Sequence, residues 1–180
     1  MQEKSYCFTS NRLGFRNWLP VDLSEMSVIN ADPEVMEYFP ATQTKLQTLD
    51  FIERMQTQYA EKGYCYFAVD KLVDGSFIGF IGLSWQTYKA DFTPCVDIGW
   101  RLKRDAWNNG FAQEGAKRCL EYAFADLGLD RIYAVAPKVN VKSVRIMEAI
   151  GMNKHAEFQH PLLKEDERLR DCVVYEVNKE

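Results

Sequence analysis

The sequence predicts an α/β or α+β fold, in which helices flank a mixed central sheet of about seven strands. Runs rich in β-branched and aromatic residues alternate along the chain with segments whose apolar residues recur at helical spacing. No repeat, low-complexity tract or Pro/Gly/Ser-rich linker divides the 180 residues. Residues 1–180 are therefore expected to form a single domain with one hydrophobic core.

The first part of the chain is predicted to alternate between a strand and short helices. Residues 12–17 alternate as a strand does, and Asp22 is placed to cap a short helix that follows. Pro33, inside Asp32-Pro33-Glu34, occupies the favoured first position of another helical turn. Residues 48–62 repeat apolar side chains at helical spacing, and Gly63 is expected to end that helix.

The remaining strands and helices are predicted from the same two patterns, alternation of apolar residues for strands and helical spacing of apolar residues for helices. Asp74-Gly75 is a strong hairpin signal between two β-rich runs, and Gly128 and Gly151 are expected to end two later helices. These helices are predicted at 111–127 and 140–150, with small residues near the start of the first for close packing on the sheet. Further strands are predicted at 64–70, 77–85, 94–102, 131–136, 152–160 and 168–177.

Composition and charge narrow the classes of function. A net charge of −4 argues against a protein that binds nucleic acid by bulk electrostatic attraction. The five cysteines form no close pair of the kind that marks a zinc or redox site, so free thiols and no metal are expected. The N-terminal residues lack a signal-peptide pattern, and no apolar run approaches the ~20 residues that span a membrane. A cytoplasmic protein without a membrane anchor is expected.

The stretch RDAWNNGFAQEG, residues 104–115, places Asn-Asn-Gly directly before a predicted helix. Asn and Gly tolerate unusual backbone angles, so a tight loop from Trp107 to Ala112 would point N–H groups at the helix start. Such donors, together with the helix dipole, suit an anion such as phosphate. The alternative is an ordinary strand-to-helix turn. The stretch lacks the Gly-Lys-Ser/Thr ending of a P-loop and the glycine spacing of a dinucleotide fingerprint.

The longer stretch VDIGWRLKRDAWNNGFAQEG, residues 96–115, resembles the acyl-coenzyme A binding signature of the GNAT N-acetyltransferase superfamily, in particular its RimJ/RimL-type branch. The Trp-Gly-x-Gly-Tyr-Ala loop of that branch is matched by residues 107–112, with Asn108 in place of the first glycine. Three other stretches resemble the branch in the same order along the chain. They are TSNRLGFRNWLPVDL, NADPEVMEYFP and NVKSVRIMEAIGM.

The resemblance implies where acetyl-coenzyme A would bind as co-substrate. A bulge splays the sheet between its fourth and fifth predicted strands, and the pantetheine arm lies in the opening. Asn140 and Ser143 would face the same cleft, although Asn140 also suits the role of helix N-cap. Lys103 and Arg104 would either add positive charge or lie on the solvated surface. The backbone groups expected to contact the cofactor are those of Trp100, Leu102, Trp107, Asn108, Asn109, Gly110, Phe111 and Ala112.

The implied reaction is direct attack of a primary amine on the acetyl thioester. Many members of the superfamily use a tyrosine near the sulfur, but the matching residue here is Met147, so Ser143 is the candidate for hydrogen-bonding the leaving sulfur. Asp97 is the candidate general base, with a structural carboxylate on the opposite face of its strand as the alternative. Other candidate bases are His155, Glu157 and His160.

The resemblance leaves the amine acceptor open between a protein N-terminus and a small molecule such as a polyamine, an amino acid or an antibiotic. Acidic residues in the acceptor region fit a cationic acceptor and a solvated helix surface equally well. They are Asp32, Glu34, Glu37 and Glu53. A coenzyme A-binding module with little or no catalysis is the alternative function, and a pure interaction protein is a third. A homodimer is kept open as the oligomeric state.

Overall fold

The computed structural model describes residues 5–179 and contains four α-helices and eight strands. The strands are β1 (Phe8–Thr9), β2 (Leu13–Arg16), β3 (Tyr66–Lys71), β4 (Phe77–Gln86), β5 (Cys95–Leu102), β6 (Arg131–Pro137), β7 (Asn153–Gln159) and β8 (Asp171–Asn178). The helices are α1 (Asp22–Ala31), α2 (Lys45–Lys62), α3 (Phe111–Ala125) and α4 (Val141–Ala149). The helices within this range include none that is long and apolar enough to cross a membrane.

The strands form one mixed sheet in the order β1-β2-β3-β4-β5-β6-β8-β7. All neighbours are antiparallel except β5 and β6, which are parallel. The predicted mixed α/β fold is thus confirmed. The additional strand is β1, whose two residues are too few to give a periodic signal in the sequence.

The sheet is open between β5 and β6. β4 pairs with β5 continuously, from Gly79 opposite Leu102 to Gln86 opposite Cys95. β5 pairs with β6 at one position alone, Asp97 opposite Tyr133. Beyond Asp97, the edge of β5 that faces β6 has no strand partner among residues 5–179. The opening lies between the fourth and fifth strands predicted from the sequence, as expected.

Helices cover both faces of the sheet. The ring of Phe51 in α2 lies 5.3 Å from that of Phe80 in β4, so α2 packs on the face that Phe80 occupies. Its neighbour Ile81 points to the other face. There, a Cβ on Gly115 of α3 would come within 2.4 Å of the Ile81 side chain. The small residue near the start of α3 therefore permits the close packing that the sequence predicted.

Two helix starts differ from the sequence prediction. Asp22 is not the N-cap of α1, because the cap position falls on Val21 and has no side-chain hydrogen bond. The Asp22 carboxylate instead accepts hydrogen bonds from Arg16 and from the backbone N–H of Leu19. α2 begins at Lys45, before the predicted start, because Thr44 and Gln47 form a reciprocal capping box.

The segment after α1 was predicted to form a helical turn at Pro33. It contains hydrogen-bonded turns, among them Met36 N–H to Asp32 C=O at 3.0 Å, but no continuous helix. The Phe39 ring of this segment lies 4.1 Å from the guanidinium carbon of Arg101, whose side chain is on the same face of the sheet as Phe80 and α2. The segment 33–40 thereby becomes one wall of the cleft described below.

A buried ion network joins β2, β3 and α1. The guanidinium of Arg16, 2% exposed, donates to both carboxylate oxygens of Asp22 and to both of Asp70. These two carboxylates are 3% and 0% exposed. Removing the Arg16 guanidinium would take four hydrogen bonds from two buried carboxylates, which is costly.

We expect Arg16→Met to lower the free energy of unfolding by about 3–5 kcal/mol, because it leaves both carboxylates buried beside an apolar side chain. Arg131→Met is the matched control, since Arg131 is itself exposed and pairs with the partly buried Glu176 at 3.7 Å, and the change should alter stability by about 1 kcal/mol or less. Urea denaturation measures both variants. Equal decreases in the free energy of unfolding of the two variants would show that burial does not determine how much the Arg16 network stabilises the fold.

Candidate active site

A cleft of about 700 Å³ opens at the gap between β5 and β6. Its walls are the end of β5, the loop before α3, the first turns of α3 and α4, and the segment 33–40. Because these elements come from separate parts of the chain, the cleft exists only in the folded sheet. Most of the predicted site residues line it.

The open edge of β5 presents backbone groups to this cleft. The N–H of Lys103 donates to the carbonyl of Ile78 on β4, and backbone groups of successive strand residues point in opposite directions. The N–H and C=O of Leu102 and of Trp100 therefore point away from β4, toward the gap. The indole N–H of Trp107 already donates to the carbonyl of Leu102 at 2.8 Å. The groups of Trp100 remain available to a ligand.

The Asn-Asn-Gly loop adopts the left-handed backbone that its composition predicts. Asn108 has φ 59° and Gly110 has φ 76°. The side-chain amide of Asn109 donates to the carbonyl of Trp107 at 2.8 Å, which braces the loop from within. Asn109 does not line the cleft, whereas Trp107, Asn108, Gly110, Phe111 and Ala112 do.

The start of α3 offers unpaired N–H groups to the cleft. Gly110 is the N-cap and, having no side chain, cannot cap the helix. The first intrahelical bond runs from Glu114 N–H to the carbonyl of Gly110, so the N–H groups of Phe111, Ala112 and Gln113 have no acceptor within the helix. These donors and the positive end of the helix dipole form a site for an anion.

Asn140, Ser143 and Met147 line the opposite wall of the cleft on α4. Asn140 is the N-cap of α4, and its side-chain oxygen accepts from the N–H of Ser143 at 3.1 Å. The N-cap interpretation is thus confirmed, and the amide NH₂ of Asn140 is left as a donor toward the cleft. Ser143 is half-buried, and Met147 is 2% exposed.

Asp97 lies on β5 where the pairing with β6 ends, and its carboxylate reaches the cleft. It accepts a hydrogen bond from the hydroxyl of Tyr66 at 2.7 Å, and Gln86 donates to that hydroxyl at 3.3 Å. Burial raises the pKa of Asp97 to about 6, against the opposing effect of hydrogen bonds from Tyr66 and Gln86. A carboxylate with this pKa can exchange protons near neutral pH.

The other candidate bases are less well placed. Glu157 lies outside the cleft, and ion pairs with Lys138 and Lys154 lower its pKa to about 2. His155 also lies outside and contacts Glu176 at 3.3 Å. His160 does line the cleft, but its Nδ1 accepts from the N–H of Leu162, and burial lowers its pKa. In its neutral form this ring presents an N–H donor, not a base, at Nε2.

The two basic residues predicted near the phosphate loop are engaged elsewhere. Arg104 forms ion pairs with Asp32 and Glu34, and Lys103 lies 3.5 Å from Asp105. Neither lines the cleft. Two of the acidic residues assigned to the acceptor region, Asp32 and Glu34, are therefore ion-paired with Arg104.

A family model described as an acetyltransferase (GNAT) domain matches residues 12–153. The chain belongs to the GNAT acetyltransferase family. A relative described as an uncharacterized N-acetyltransferase, YnaD of Bacillus subtilis, is 30% identical over 160 residues, which cover 88% of this chain and 89% of that protein. The superfamily predicted from residues 96–115 is thereby confirmed.

Solved GNAT structures share the architecture. An acetyltransferase (GNAT family) of Bacillus anthracis superposes with a TM-score of 0.78 at 25% identity, covering 94% of this chain and 96% of that chain. The spermidine N-acetyltransferase of Vibrio cholerae, solved in complex with CoA and spermine, gives a TM-score of 0.72 at 18% identity, covering 93% and 95%. At 18% identity, the similarity to the spermidine N-acetyltransferase shows only that the two proteins share the GNAT fold.

The GNAT motif did not indicate every residue of the cleft. Gln113 directly follows the six-residue match. Its N–H belongs to the first turn of α3, where N–H groups have no acceptor within the helix, and this rule alone would have added it to the predicted anion site. Lys142 lines the cleft with its ammonium 5.1 Å from the centre of the Trp107 ring, and no motif marks it. Arg101 lies between Trp100 and Leu102 and also lines the cleft. The motif indicated only the backbone groups of this stretch, so it did not indicate the Arg101 side chain.

Proposed function

We propose that this GNAT protein transfers an acetyl group from acetyl-coenzyme A to a primary amine, and that it belongs to the RimJ/RimL-type branch of the family. The observation that carries the proposal is the open edge of β5 beside the uncapped start of α3. One cleft joins the two. An extended chain with amides and a phosphate end fits such a surface.

The residues present fit coenzyme A. Its pyrophosphate would lie on the N–H groups of Asn108 and of residues 110–113, where the left-handed angles of Asn108 and Gly110 and the helix dipole favour an anion. The N–H of Trp107, which the motif also indicated, is not available because it donates to the carbonyl of Arg104 at 3.0 Å. The pantetheine amides would pair with the backbone carbonyl of Trp100 and with the amide NH₂ of Asn140. The carbonyl of Leu102 retains one lone pair beside its bond from Trp107.

The bound thioester supplies an acetyl carbon that a neutral amine can attack. Asp97 accepts the proton that the amine loses, directly or through water, and Tyr66 and Gln86 hold this carboxylate in place. The N–H of Trp100 lies at the open edge and stabilises the negative charge that develops on the carbonyl oxygen. The hydroxyl of Ser143 donates a hydrogen bond to the departing sulfur. Products are the N-acetylated amine and the thiol.

Calorimetry with coenzyme A and a thiol-release assay with acetyl-coenzyme A and a panel of amines test the proposal. We expect saturable coenzyme A binding and amine-dependent release of thiol. Binding without release for any amine would favour the alternative, a coenzyme A-binding module, which Met147 in place of the family's tyrosine keeps open. Absence of binding would overturn both.

We expect Ser143→Ala to lower kcat by about tenfold while the dissociation constant of coenzyme A changes by less than about twofold. The variant keeps the backbone N–H that Asn140 accepts, so α4 stays capped. Ser27→Ala, which removes a hydroxyl bonded to the carbonyl of Leu23 in α1, is the matched control and should retain full activity. An unchanged kcat would remove Ser143 from the reaction.

The acceptor class is proposed as a primary amine of a protein N-terminus or of a small molecule. The RimJ/RimL-type motifs support the first. The burial of Asp97, which is 9% exposed where it reaches the cleft, supports the second. A comparison of peptides with small amines in the thiol-release assay separates them.

A further inference from the structure

Arg101 is a buried cation in the cleft. Its side chain is 9% exposed, lies on β5 and lines the cavity. Its Nη1 donates to the side-chain oxygen of Asn30 at 2.7 Å, and its Nε is buried without a hydrogen-bond partner. Among residues 5–179 no carboxylate forms an ion pair with it.

The guanidinium is held in place by neutral groups. The amide NH₂ of Asn30 donates to Gln43 and to Thr48, both at 3.0 Å, which fixes the Asn30 oxygen toward Arg101. The rings of Phe39 and Phe80 lie 4.1 and 5.3 Å from its central carbon. These contacts orient the cation but provide no negative charge.

Comparison with Arg16 shows that Arg101 lacks a negatively charged partner among residues 5–179. Arg16 is also buried, and it bonds two aspartates. A buried charge without a counter-charge is costly unless it is paired when the protein works. Arg101 differs from Arg16 in facing a cavity that a ligand can enter. The ligand is therefore the available source of the counter-charge.

We propose that the acceptor is an amine that also carries a carboxylate, such as a free amino acid, and that its carboxylate forms an ion pair with Arg101. This inference rests on the proposed function. Planar carboxylates match the edge of a guanidinium, which can donate two parallel hydrogen bonds. A polyamine would place a second positive charge beside Arg101, and a peptide N-terminus has no carboxylate near its amine.

Arg101 and Asp97 lie on the same face of β5, which gives the acceptor its orientation. Arg101 is opposite Phe80 and Asp97 opposite Ser84, two positions that share a face of β4. Gly99 lies between them, and the ring of Tyr66 covers it, because a Cβ on Gly99 would come within 3.1 Å of that ring. The amine end would lie toward Asp97, and the carboxylate end toward Arg101. Because the two residues are four positions apart on the strand, about 13 Å between Cα atoms, a short amino acid bound to Arg101 would reach Asp97 through water.

The first experiment uses the unaltered protein and thiol release from acetyl-coenzyme A. Each of a panel of L-amino acids is compared with its own amide, which keeps the amine and side chain but lacks the carboxylate. We expect kcat/KM to be at least about 30-fold higher for the acid of the preferred pair. Equal rates for acids and amides, or higher rates for spermidine, peptides or an aminoalkyl phosphate, would overturn the inference.

The second experiment assigns the preference to Arg101. Arg101→Met should remove the difference between acid and amide while coenzyme A binds as before by calorimetry. Arg168→Met is the matched control, since Arg168 donates to the backbone carbonyl of Glu37 in the same cleft wall but does not line the cleft. It should keep the preference. An acid preference that survives Arg101→Met would overturn the assignment.

The carboxylate preference and the proposed acetyl transfer are tested by different results. Transfer to amines without any carboxylate preference would contradict the inference and leave the proposed function standing. Absence of coenzyme A binding would contradict the proposed function itself. If Arg101→Met does not fold, the comparison of acids with amides on the unaltered protein still decides whether a carboxylate is recognised.

Discussion

Gly110→Val is expected to weaken coenzyme A binding at least about 100-fold, below what calorimetry at ordinary concentrations detects. Gly110 has φ 76°, a conformation that β-branched residues strongly disfavour. Within 4 Å, an added Cβ would meet Nη2 of Arg12 at 3.5 Å and nothing else, so space is not the obstacle. The loop would have to change its backbone, and the N–H groups that converge at the start of α3 would diverge.

Gly128→Val is the control for backbone strain. Gly128 follows α3, has φ 67°, and an added Cβ would meet no atom within 4 Å. Both variants should lose on the order of 1–3 kcal/mol of stability through the same strain. Only the Gly110 variant should lose coenzyme A. Similar affinities in the two variants would show that the loop is an ordinary turn and not the phosphate site.

Asp97→Asn is expected to lower kcat/KM by about 10² to 10⁴-fold, since the amide cannot accept the proton of the attacking amine. The wild-type rate should fall on the acid side of about pH 6, where the carboxylate becomes protonated. The amide oxygen can still accept the hydrogen bond from Tyr66, so the surrounding side chains need not move. A pH–rate profile and steady-state kinetics measure both effects.

The same substitution should stabilise the fold at neutral pH. Burial raises the pKa of Asp97 to about 6, so the folded state favours the protonated form. The stability from that proton is complete below the pKa of the unfolded chain, about 4, and is lost as pH rises through about 6. Replacement by Asn avoids the loss, worth on the order of 2–3 kcal/mol above pH 6.

Thermal unfolding at pH 5 and pH 8 checks this second effect. The gain from Asp97→Asn should be larger at pH 8 than at pH 5. A structural carboxylate stabilised in its charged form would give the opposite result, a loss on replacement. The combination of lower activity and higher stability therefore distinguishes a catalytic carboxylate from a structural one.

The sequence predicted the fold well because local signals and the fold agree in most elements. Gly63 ends α2 and Asn140 caps α4, and both effects act within one helical turn. The prediction for Asp22 was wrong because its carboxylate is used by Arg16, six residues away, in preference to the helix start. Competition between a local cap and a buried charge cannot be read from spacing alone.

The candidate site was predictable where the backbone carries it and not where side chains from distant elements meet. Residues 107–112 form one continuous loop, so a single motif indicates most of the anion site. Arg101 depends on Asn30 in α1 and on Phe39 in the segment after it, which the chain brings together only through the sheet. The hydrogen bond of Tyr66 to Asp97 likewise joins two strands that are not adjacent in the sheet order.

The single paired position between β5 and β6 has a mechanical consequence. Asp97 belongs to the block of strands β1 to β5, whereas Ser143 follows β6 and belongs with β8 and β7. No continuous hydrogen-bond ladder fixes the separation of these two blocks beyond Asp97 and Tyr133. A molecule bound in the opening therefore also contributes to the distance between Asp97 and Ser143.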